Sequence, residues 1–420
     1  MTESADATGR PSLPRGVVAT SRRLAEAGHV AYLAGGCVRD RLLGLEPKDW
    51  DIATDARPDA VRGLFPGARS VGESFGIMLV RSHGLTIEVA TFRTDGVYSD
   101  GRHPDVVAFT DAEHDATRRD FTINGIFEDP ETGAIVDYVG GRDDLAARRV
   151  RAIGDPAARL REDRLRMLRA VRFAARFGFA LDAPTADAIR EGADQLDGVS
   201  RERIGHEVRS MLTHSNRAVA AWEMQYLGLD TPTLREPNCL AAPTMLARLP
   251  DRVAVSTALA AWLIDRHGED PVEHVSRRRA WTEALVLSRE EERGMRNALS
   301  TYRALTVEWR SLGVAAQKRV AASEGFAEAI LLVRARDRQV FVDIQRHVSA
   351  LATTGLAPTP LVTGEDLVEA GFRPGPPFKP VLDAVYDAQL EGAISSAEEG
   401  LQLARVIFEA VTSGRRPGPD

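Results

Sequence analysis

Two acidic residues separated by a single residue are the best candidates in this chain for metal-assisted chemistry. Asp49 and Asp51 lie at the predicted start of a strand, where the alternation of side chains places both on one face. Two like charges held together need a cation, and such hard oxygen ligands bind Mg²⁺ together with substrate phosphates. Glu88, in the apolar run 87–89, is the candidate third carboxylate, because an acid there is costly unless it is paired or metal-bound. The alternative interpretation is a pair of solvated acids at a strand edge.

A glycine turn lies thirteen residues before this acidic pair. Gly35 and Gly36 follow a predicted strand and open a predicted helix, so backbone N–H groups and the helix N-terminus can receive a phosphate. Taken alone, the pattern also fits a tight strand-to-helix turn with no ligand. Its distance from the Asp-x-Asp pair favours the functional interpretation of both features.

The elements that must position these residues divide the chain into a mixed α/β part and a helical remainder. Short β-rich runs alternate with helical ones between about residues 29 and 153, and the strand signals disappear after Gly154. The fold class that we predict is an α/β head, a mixed sheet with helices, followed by an all-α neck, body and tail. The predicted divisions are a disordered leader at 1–14, the head at 15–153, the neck at 154–235, the body at 236–350 and the tail at 351–420.

Composition and charge bound the class of protein. The 420 residues are 44% hydrophobic and 27% charged, as expected for a globular chain of several domains. No apolar run approaches the ~18 residues of a membrane span, so we expect a soluble, cytoplasmic protein with no membrane partner. The net charge of -7 argues against a generic nucleic-acid coat. Residues 142–176, however, contain eleven arginines against five acids, which makes this segment locally cationic.

Four motifs together resemble those of bacterial class II tRNA nucleotidyltransferases and of the related bacterial poly(A) polymerases. They are the glycine turn at 35–40, the Asp-x-Asp strand at 49–52, and the segments 118–125 and 162–170. The similarity covers about residues 32–212. It implies template-independent addition of nucleotides to an RNA 3′ end, with tRNA, CTP and ATP as partners and no role for DNA.

The resemblance implies roles for several residues of the head. Arg118 and Arg119 would bind triphosphate oxygens, since guanidinium donors suit phosphate acceptors and stay charged. Asp120 would accept a hydrogen bond from the ribose 2′-hydroxyl, and Asn124 would support the nucleotide site, as would Arg39 in the glycine-turn motif. A surface arginine pair followed by a helix cap is the alternative explanation.

The candidate base-selecting residues lie on a predicted neck helix over residues 158–177. Asp163 and Arg166 are three apart and would share a helix face, with Glu162 four residues before Arg166. An acid accepts from an amino group and an arginine donates to ring acceptors, so the pair can imitate Watson–Crick hydrogen bonding without a template. The resemblance implies that these residues select CTP and ATP. An isolated ion pair on a helix surface would have the same spacing.

Further arginines and one loop extend the predicted site. Arg169 is assigned to the nucleotide, and Arg172 and Arg176 continue the cationic stripe towards the phosphates of the RNA acceptor stem; a solvated helix face is the alternative. Residues 95–105 are rich in turn formers and resemble the flexible loop that helps to switch specificity from C to A. An ordinary surface loop is again the alternative.

The motifs together predict two-metal phosphoryl transfer. With Mg²⁺ held by Asp49 and Asp51 and supported by Glu88, the primer 3′-hydroxyl attacks the α-phosphate of CTP or ATP and pyrophosphate leaves. An A-adding tRNA enzyme or a poly(A) polymerase would share the motifs, although the stretch 70–76 favours the tRNA enzymes because poly(A) polymerases usually have a more basic segment there. A catalytically silent RNA-binding module is the alternative from a different class. The sequence indicates no oligomeric state.

Overall fold

The chain folds into two compact units. The computed structural model describes residues 9–71, 76–96, 106–269 and 271–412. The first unit comprises Met1–Leu240 and Glu283–Val286, and the second comprises Ala241–Thr282 and Leu287–Asp420. Among the described residues, no helix is both long and apolar enough to cross a membrane.

A seven-stranded mixed sheet forms the centre of the first unit. The strands are β1 (Ala31–Ala34), β2 (Asp51–Thr54), β3 (Arg69–Ser70), β4 (Ile77–Ser82), β5 (Leu85–Thr91), β6 (Arg93–Asp95), β7 (Val107–Phe109), β8 (Ile126–Glu128), β9 (Ile135–Asp137), β10 (Arg149–Val150) and β11 (Ala180–Leu181). The order across the main sheet is β3-β4-β5-β2-β1-β8-β9, and β6–β7 and β10–β11 form two smaller sheets. In the main sheet only β2 and β5 pair in parallel among the described strands. The predicted mixed sheet is confirmed.

The register between β2 and β5 sets the face on which the acids lie. Asp51 pairs with Glu88, and the next residues along, Ile52 and Val89, pair with each other. Partners in register project to the same face, and successive residues project to opposite faces. Ile52 and Val89 are therefore buried on one face of the sheet, and Asp51 and Glu88 share the opposite face.

Eleven helices belong to the described part of the first unit. They are α1 (Arg15–Glu26), α2 (Gly36–Leu42), α3 (Pro58–Leu64), α4 (Ala112–Thr117), α5 (Gly141–Ala146), α6 (Pro156–Glu162), α7 (Arg166–Phe177), α8 (Ala183–Gly192), α9 (Arg201–Leu212), α10 (Arg217–Tyr226) and α11 (Asp230–Leu234). Of the predicted leader, residues 1–8 lie outside the described residues. Arg10 pairs with Glu128 at 3.1 Å, so this leader residue is held against the head.

The single helix predicted over 158–177 is wrong, because the chain breaks into α6 and α7. Asp163 adopts an extended conformation with φ -139° and ψ 102°. Its carboxylate accepts the backbone N–H of Leu165 at 3.1 Å, a local bond of the kind that competes with helix hydrogen bonding and starts a new helix. The predicted end of the helix at residue 177 is confirmed, since Gly178 ends α7 in the left-handed region at φ 64°.

A small aromatic core connects the sheet to α4. Tyr32, Phe92 and Phe127 pack with ring centroids 6.0 to 6.3 Å apart. They lie in one cluster with Ala112 and Ala116 of α4. This cluster fixes the helix whose last turn leads into the predicted triphosphate-binding arginines.

The second unit is helical throughout its described residues. Its helices are α12 (Thr244–Arg248), α13 (Val255–His267), α14 (Pro271–Ala284, whose end reaches the first unit), α15 (Arg289–Arg303), α16 (Val314–Ala321), α17 (Phe326–Arg336), α18 (Arg338–Ala352), α19 (Gly364–Glu369), α20 (Phe378–Glu391) and α21 (Ala397–Thr412). A π-helix covers Ala304–Glu308. α19 begins with a capping box, in which Thr363 and Asp366 exchange side-chain and backbone hydrogen bonds.

Candidate active site

Almost all of the predicted site residues line a single cavity of about 740 Å³ in the first unit. Glu88 and Glu162 are the exceptions. The predicted residues that line it are Gly35, Gly36, Arg39, Asp49, Asp51, Arg118, Arg119, Asp120, Asn124, Asp163, Arg166, Arg169, Arg172 and Arg176. The sequence reasoning missed Ile77, Arg93, Asp95 and Phe173. The volume lies within the roughly 300–1,000 Å³ that is usual for ligand sites.

Three acids of the head, Asp49, Asp51 and Glu88, carry charge that nearby arginines offset only in part. Asp51 is the first residue of β2, and Asp49 lies in the bend before it rather than in the strand, which corrects the predicted strand start. Burial raises the pKa of Asp51 to about 6, with the charges of Glu88 and Asp49 adding to the shift. Burial also raises the pKa of Glu88. None of the three forms an ion pair with any described residue.

Asp49 and Asp51 fit a divalent cation. They present carboxylate oxygens, the ligands that hard divalent cations prefer, and a cation would relieve the repulsion that raises the pKa of Asp51. Glu88 does not line the cavity. No group of three or more His, Cys, Asp or Glu side chains in the described ranges is close enough to hold a metal, so the two aspartates would need ligands from the substrate. We call Asp49 and Asp51 the carboxylate wall.

The glycine turn brings the backbone close to an arginine. Gly35 follows β1 with φ 69°, a conformation that favours glycine. A Cβ at this position would lie 2.8 Å from Nη1 of Arg119. The turn therefore requires glycine both for its conformation and for the approach of the Arg119 guanidinium.

One buried carboxylate holds both predicted triphosphate-binding arginines. Asp115, on α4, accepts from Nη2 of Arg118 at 2.6 Å and from Nη2 of Arg119 at 2.9 Å. Burial acts to raise the pKa of Asp115, but the two guanidinium groups lower it overall. The sequence reasoning missed Asp115, although its spacing of three and four residues before the arginines is a helical pairing signal.

Asp120 lies at the centre of a hydrogen-bond network. Its Oδ1 accepts from the Phe121 backbone at 2.8 Å and from Nδ2 of Asn124 at 2.9 Å. Its Oδ2 accepts from Nε and Nη2 of Arg169 at 2.9 and 2.5 Å. Burial acts to raise the pKa of Asp120, but Arg169 and Asn124 hold it well below its usual range. Asn124 in turn accepts from Nη1 of Arg39 at 2.5 Å, which ties the network to the glycine-turn helix.

The prediction that Asp163 and Arg166 share a helix face is wrong, and each of the two residues has a partner of its own. Asp163 pairs with Arg203 at 2.7 Å and not with Arg166, because the break between α6 and α7 removes the shared helix face. Nη1 of Arg166 donates to Glu162 at 2.5 Å and to the carbonyl of Arg159 at 2.7 Å. Asp163 and Arg166 nevertheless both line the cavity.

Arg159 links the predicted base-selecting segment to the predicted triphosphate-binding segment. Its guanidinium donates to the carbonyl oxygens of Thr117 and Arg118, at 2.7 and 3.3 Å, at the end of α4. It also donates to Glu162 at 2.9 Å and to the carbonyl of Ile153 at 3.2 Å. The sequence reasoning did not identify this residue, and no local pattern distinguishes it from the other arginines of the stripe.

The basic side of the cavity consists of arginines that already have carboxylate partners. Arg172 pairs with Glu207 at 2.6 Å, and Arg176 pairs with Asp40 at 3.1 Å. The full set, which we call the arginine wall, is Arg39, Arg93, Arg118, Arg119, Arg166, Arg169, Arg172 and Arg176. Each of the eight forms an ion pair with a carboxylate. Against five lining aspartates, eight arginines give the cavity an excess of donors for a polyphosphate.

Two predicted loop features fall largely outside the described residues. Of the flexible loop at 95–105, residues 97–105 are not described, and of the stretch 70–76, residues 72–75 are not described. The expectation that the loop helps to switch specificity therefore stays a prediction.

Comparisons with known proteins agree with this geometry. Residues 31–151 match the poly A polymerase head domain family, and residues 178–237 match the family described as the probable RNA and SrmB-binding site of polymerase A. The CCA-adding enzyme of Limosilactobacillus fermentum is 32% identical over 388 residues, which cover 91% of this chain and 94% of that protein. That of Bacillus pumilus is 46% identical over 190 residues, a match that spans only 47% of the relative.

Solved structures of CCA-adding enzymes share the fold of this chain. The Bacillus stearothermophilus CCA-adding enzyme in complex with CTP superposes with a TM-score of 0.76 at 29% identity, covering 95% of this chain and 98% of that one. The Thermotoga maritima CCA-adding enzyme complexed with tRNA shares the fold, with a TM-score of 0.64 at 20% identity over 94% of each chain.

The fold and the cavity define a nucleotidyltransferase, since a mixed sheet presents two carboxylates to an arginine-lined cavity and is followed by helices. The full-length match to relatives above 30% identity is decisive for the subgroup. The chain belongs to the family of the CCA-adding enzymes.

Proposed function

We propose that the protein adds C, C and A to the 3′ end of tRNA, using CTP and ATP and releasing pyrophosphate. The observation that carries this proposal is the cavity that Asp49 and Asp51 line together with eight arginines, in a chain that matches CCA-adding enzymes over nine-tenths of its length. A cation site beside donors for a polyphosphate is the arrangement that nucleotidyl transfer needs.

The carboxylate wall would hold the metal, which we propose to be Mg²⁺. When bound, Mg²⁺ would neutralise charge on the reacting phosphate and on the attacking 3′-hydroxyl. Asp49 and Asp51 contribute the oxygens, and Glu88 keeps negative charge on the neighbouring strand without lining the cavity. The raised pKa of Asp51 supports this role. It shows that the ionised carboxylate is unfavourable without a partner, and a bound cation would stabilise that ionised form.

Arg118 and Arg119 would hold the triphosphate. Asp115 fixes both guanidinium groups from one side and leaves their remaining N–H donors for phosphate oxygens. Orienting these donors before substrate arrives reduces the entropy lost on binding. Asp115 is thus a positioning residue for the triphosphate.

Asp120 would recognise the ribose together with Arg169. A carboxylate offers about four lone-pair sites, and protein donors occupy four in this structure. Accepting the 2′-hydroxyl therefore requires Arg169 to give up one of its two contacts. We propose that the Arg169 N–H group released from Asp120 then donates to the nucleotide. Binding of the ribose would in this way also bring Arg169 into contact with the nucleotide.

Asp163 and Arg166 would read the base edge. Each is oriented by a partner outside the pair, Asp163 by Arg203 and Arg166 by Glu162. Asp163 would accept from the amino group that cytosine and adenine share, and Arg166 would donate to a ring acceptor. This arrangement needs no template strand.

The test is incubation of the purified protein and Mg²⁺ with tRNAs that end before CCA, after the first C, and after CC. CTP and ATP are offered separately and together, and products are resolved at single-nucleotide length. We expect ordered addition of two C and one A, which Asp49→Ala and Asp51→Ala abolish. Asp59→Ala, an exposed acid on α3 outside the cavity, is the matched control and should retain activity.

The other products would identify a different function. Addition of A only to the CC end would make the protein an A-adding tRNA enzyme, and long A tails on unrelated RNA would make it a poly(A) polymerase. RNA binding with no incorporation would point to a catalytically silent binding module.

A further inference from the structure

Two phenylalanine rings lie among the arginines of the active-site cavity. Phe173 and Phe177 are one turn apart on α7, and their rings are nearly parallel, with centroids 6.2 Å apart and an interplanar angle of 8°. Phe173 is 4% exposed, and among the described residues it is the one aromatic side chain that lines the cavity. Protein groups therefore cover most of its surface.

Guanidinium groups make up much of that cover. The guanidinium carbons of Arg172, Arg39 and Arg169 lie 4.3, 5.0 and 5.3 Å from the centroid of the Phe173 ring. A cation within about 6 Å of a ring centroid is attracted by the electron-rich face of the ring. Arg39 also lies 4.6 Å from the centroid of Phe177. Phe173 thus contacts arginines from both the glycine-turn helix α2 and the neck helix α7.

The ring-contacting arginines outnumber their carboxylate partners. With Arg176, which lies 4.8 Å from the Phe177 centroid, four arginines contact the two rings. Their ion pairs in the described part of the chain are Arg169 with Asp120, Arg172 with Glu207, and both Arg39 and Arg176 with Asp40. Four positive and three negative charges leave a net charge of +1. The ring faces lie where this excess positive charge is concentrated and offset part of the repulsion.

Phe173 also contacts the hydrogen-bond network of Asp120 from a second side. Its ring packs edge-on against Phe121, with centroids 5.9 Å apart. The backbone N–H of Phe121 donates to Oδ1 of Asp120, and Arg169 donates to Oδ2. The Phe173 ring therefore touches residues that donate to each oxygen of this carboxylate.

We propose that Phe173 is a positioning residue for nucleotide binding, whose ring face holds the guanidinium groups of Arg39 and Arg169 in the orientation that receives the nucleotide. The inference rests on the proposed function, because both arginines belong to the proposed nucleotide site. Donors that are oriented in advance lose less conformational entropy when the ligand binds. The attraction between ring face and cation is required here, whereas a residue that only packs could be replaced by any apolar side chain of similar size.

The experiment replaces Phe173 with mono-, di- and trifluorinated phenylalanine and, separately, with leucine. Fluorine withdraws electron density from the ring face, so it weakens the attraction for a cation with little change in shape. Phe179→Leu is the matched control, because Phe179 also lies near an arginine, 5.8 Å from Arg148, but does not line the cavity. Calorimetry without RNA measures Kd for CTP, and urea denaturation measures the free energy of unfolding of each variant.

Kd for CTP should rise with each added fluorine and reach about ten times the wild-type value for the trifluorinated ring, as expected for loss of a cation–π contact with a desolvated guanidinium. Phe173→Leu should raise Kd by about the same factor, since leucine has no electron-rich face. Phe179→Leu should lower the free energy of unfolding and leave Kd for CTP unchanged.

The same Kd for CTP in all ring variants would overturn the inference, even if the free energy of unfolding fell, because Phe173 would then contribute packing alone. A Kd that decreased with added fluorine would also overturn it, since the ring would then compete with the nucleotide for the guanidinium groups. The proposed function fails separately, if the wild type binds CTP but incorporates no nucleotide into tRNA.

Discussion

The arginine wall and the carboxylate wall of the active-site cavity differ in whether their residues have ion-pair partners within the protein. All eight residues of the arginine wall form ion pairs with carboxylates of the protein. Neither aspartate of the carboxylate wall forms an ion pair with a described residue, and the pKa of Asp51 is raised. The arginine donors are thus oriented before substrate arrives, whereas the two aspartates are left for the cation that we propose. Donor positioning is built into the fold, and in our proposal the metal completes the neutralisation of charge.

The largest effect should come from the carboxylate wall. Asp51→Asn keeps the shape of the side chain but removes a metal ligand, and we expect kcat to fall at least about 1,000-fold, a loss of some 4 kcal/mol of transition-state stabilisation. Because the same change removes a buried charge that Glu88 and Asp49 repel, the free energy of unfolding should rise or stay constant. Single-turnover CMP incorporation and urea denaturation measure the two quantities. A variant that loses activity because it unfolds at lower urea would contradict this account.

The next largest effect should come from Asp120, the acid of the cavity lining that pairs with Arg169. Asp120→Asn leaves Arg169 without its carboxylate, and since Arg169 is one-third exposed we expect a loss of about 1–3 kcal/mol of stability. Discrimination of CTP against dCTP should fall at the same time. Arg169→Met and the double variant complete a cycle, in which the two losses should be strongly non-additive. Additive losses would show that the pair does not act as a unit.

A smaller effect should come from the residue that joins the two nucleotide-contacting segments. Arg159→Ala should reduce kcat about tenfold and increase addition of the wrong base, because the end of α4 loses its two hydrogen-bond donors and Glu162, which orients Arg166, loses one of its two arginine partners. Arg159→Lys should recover part of the loss. Arg161→Ala is the matched control on the same helix, since its described bond is within α6. Equal effects of the two alanine variants on base choice would contradict a positioning role.

The smallest effect should be a pH dependence of stability in the metal-free protein. The folded-state pKa of Asp51, about 6, lies above the ordinary value of 3.8, so the folded state binds more protons between these pH values. The contribution of Asp51 to the free energy of unfolding is therefore lost as pH rises from about 4 to about 6. Because Asp51 is only partly buried, solvent screening limits the loss to the order of 1 kcal/mol. The difference in the free energy of unfolding between wild type and Asp51→Asn isolates this contribution. If that difference does not change with pH, the raised pKa of Asp51 is refuted.

The sequence predicted which residues meet in the cavity better than it predicted how they are held. The motifs around Asp49, Arg118 and Arg166 are local, and their order along the chain identifies the family fold that brings them together. The ion-pair partners of the last arginines of α7 are not local: Arg172 pairs with Glu207, 35 residues away, and Arg176 pairs with Asp40, 136 residues away. Such pairings depend on tertiary packing and leave no periodic signal.

The error at the α6–α7 break has a similar cause. Residues 158–177 have an apolar helical period throughout, so the pattern predicts one helix. The bond from the Asp163 carboxylate to the Leu165 backbone overrides that pattern at a single residue. Its consequence for the site is large, because it gives Asp163 and Arg166 separate partners, Arg203 and Glu162.

The most direct test of the account is extension of a tRNA lacking CCA, with CTP and ATP together, resolved at single-nucleotide length. The wild type with Mg²⁺, the wild type with EDTA, and Asp51→Asn with Mg²⁺ are compared. We predict a product exactly three nucleotides longer in the first reaction and no product in the other two. Extension in EDTA or by Asp51→Asn would contradict the assigned carboxylate wall, and absence of extension by the wild type would contradict the proposed function.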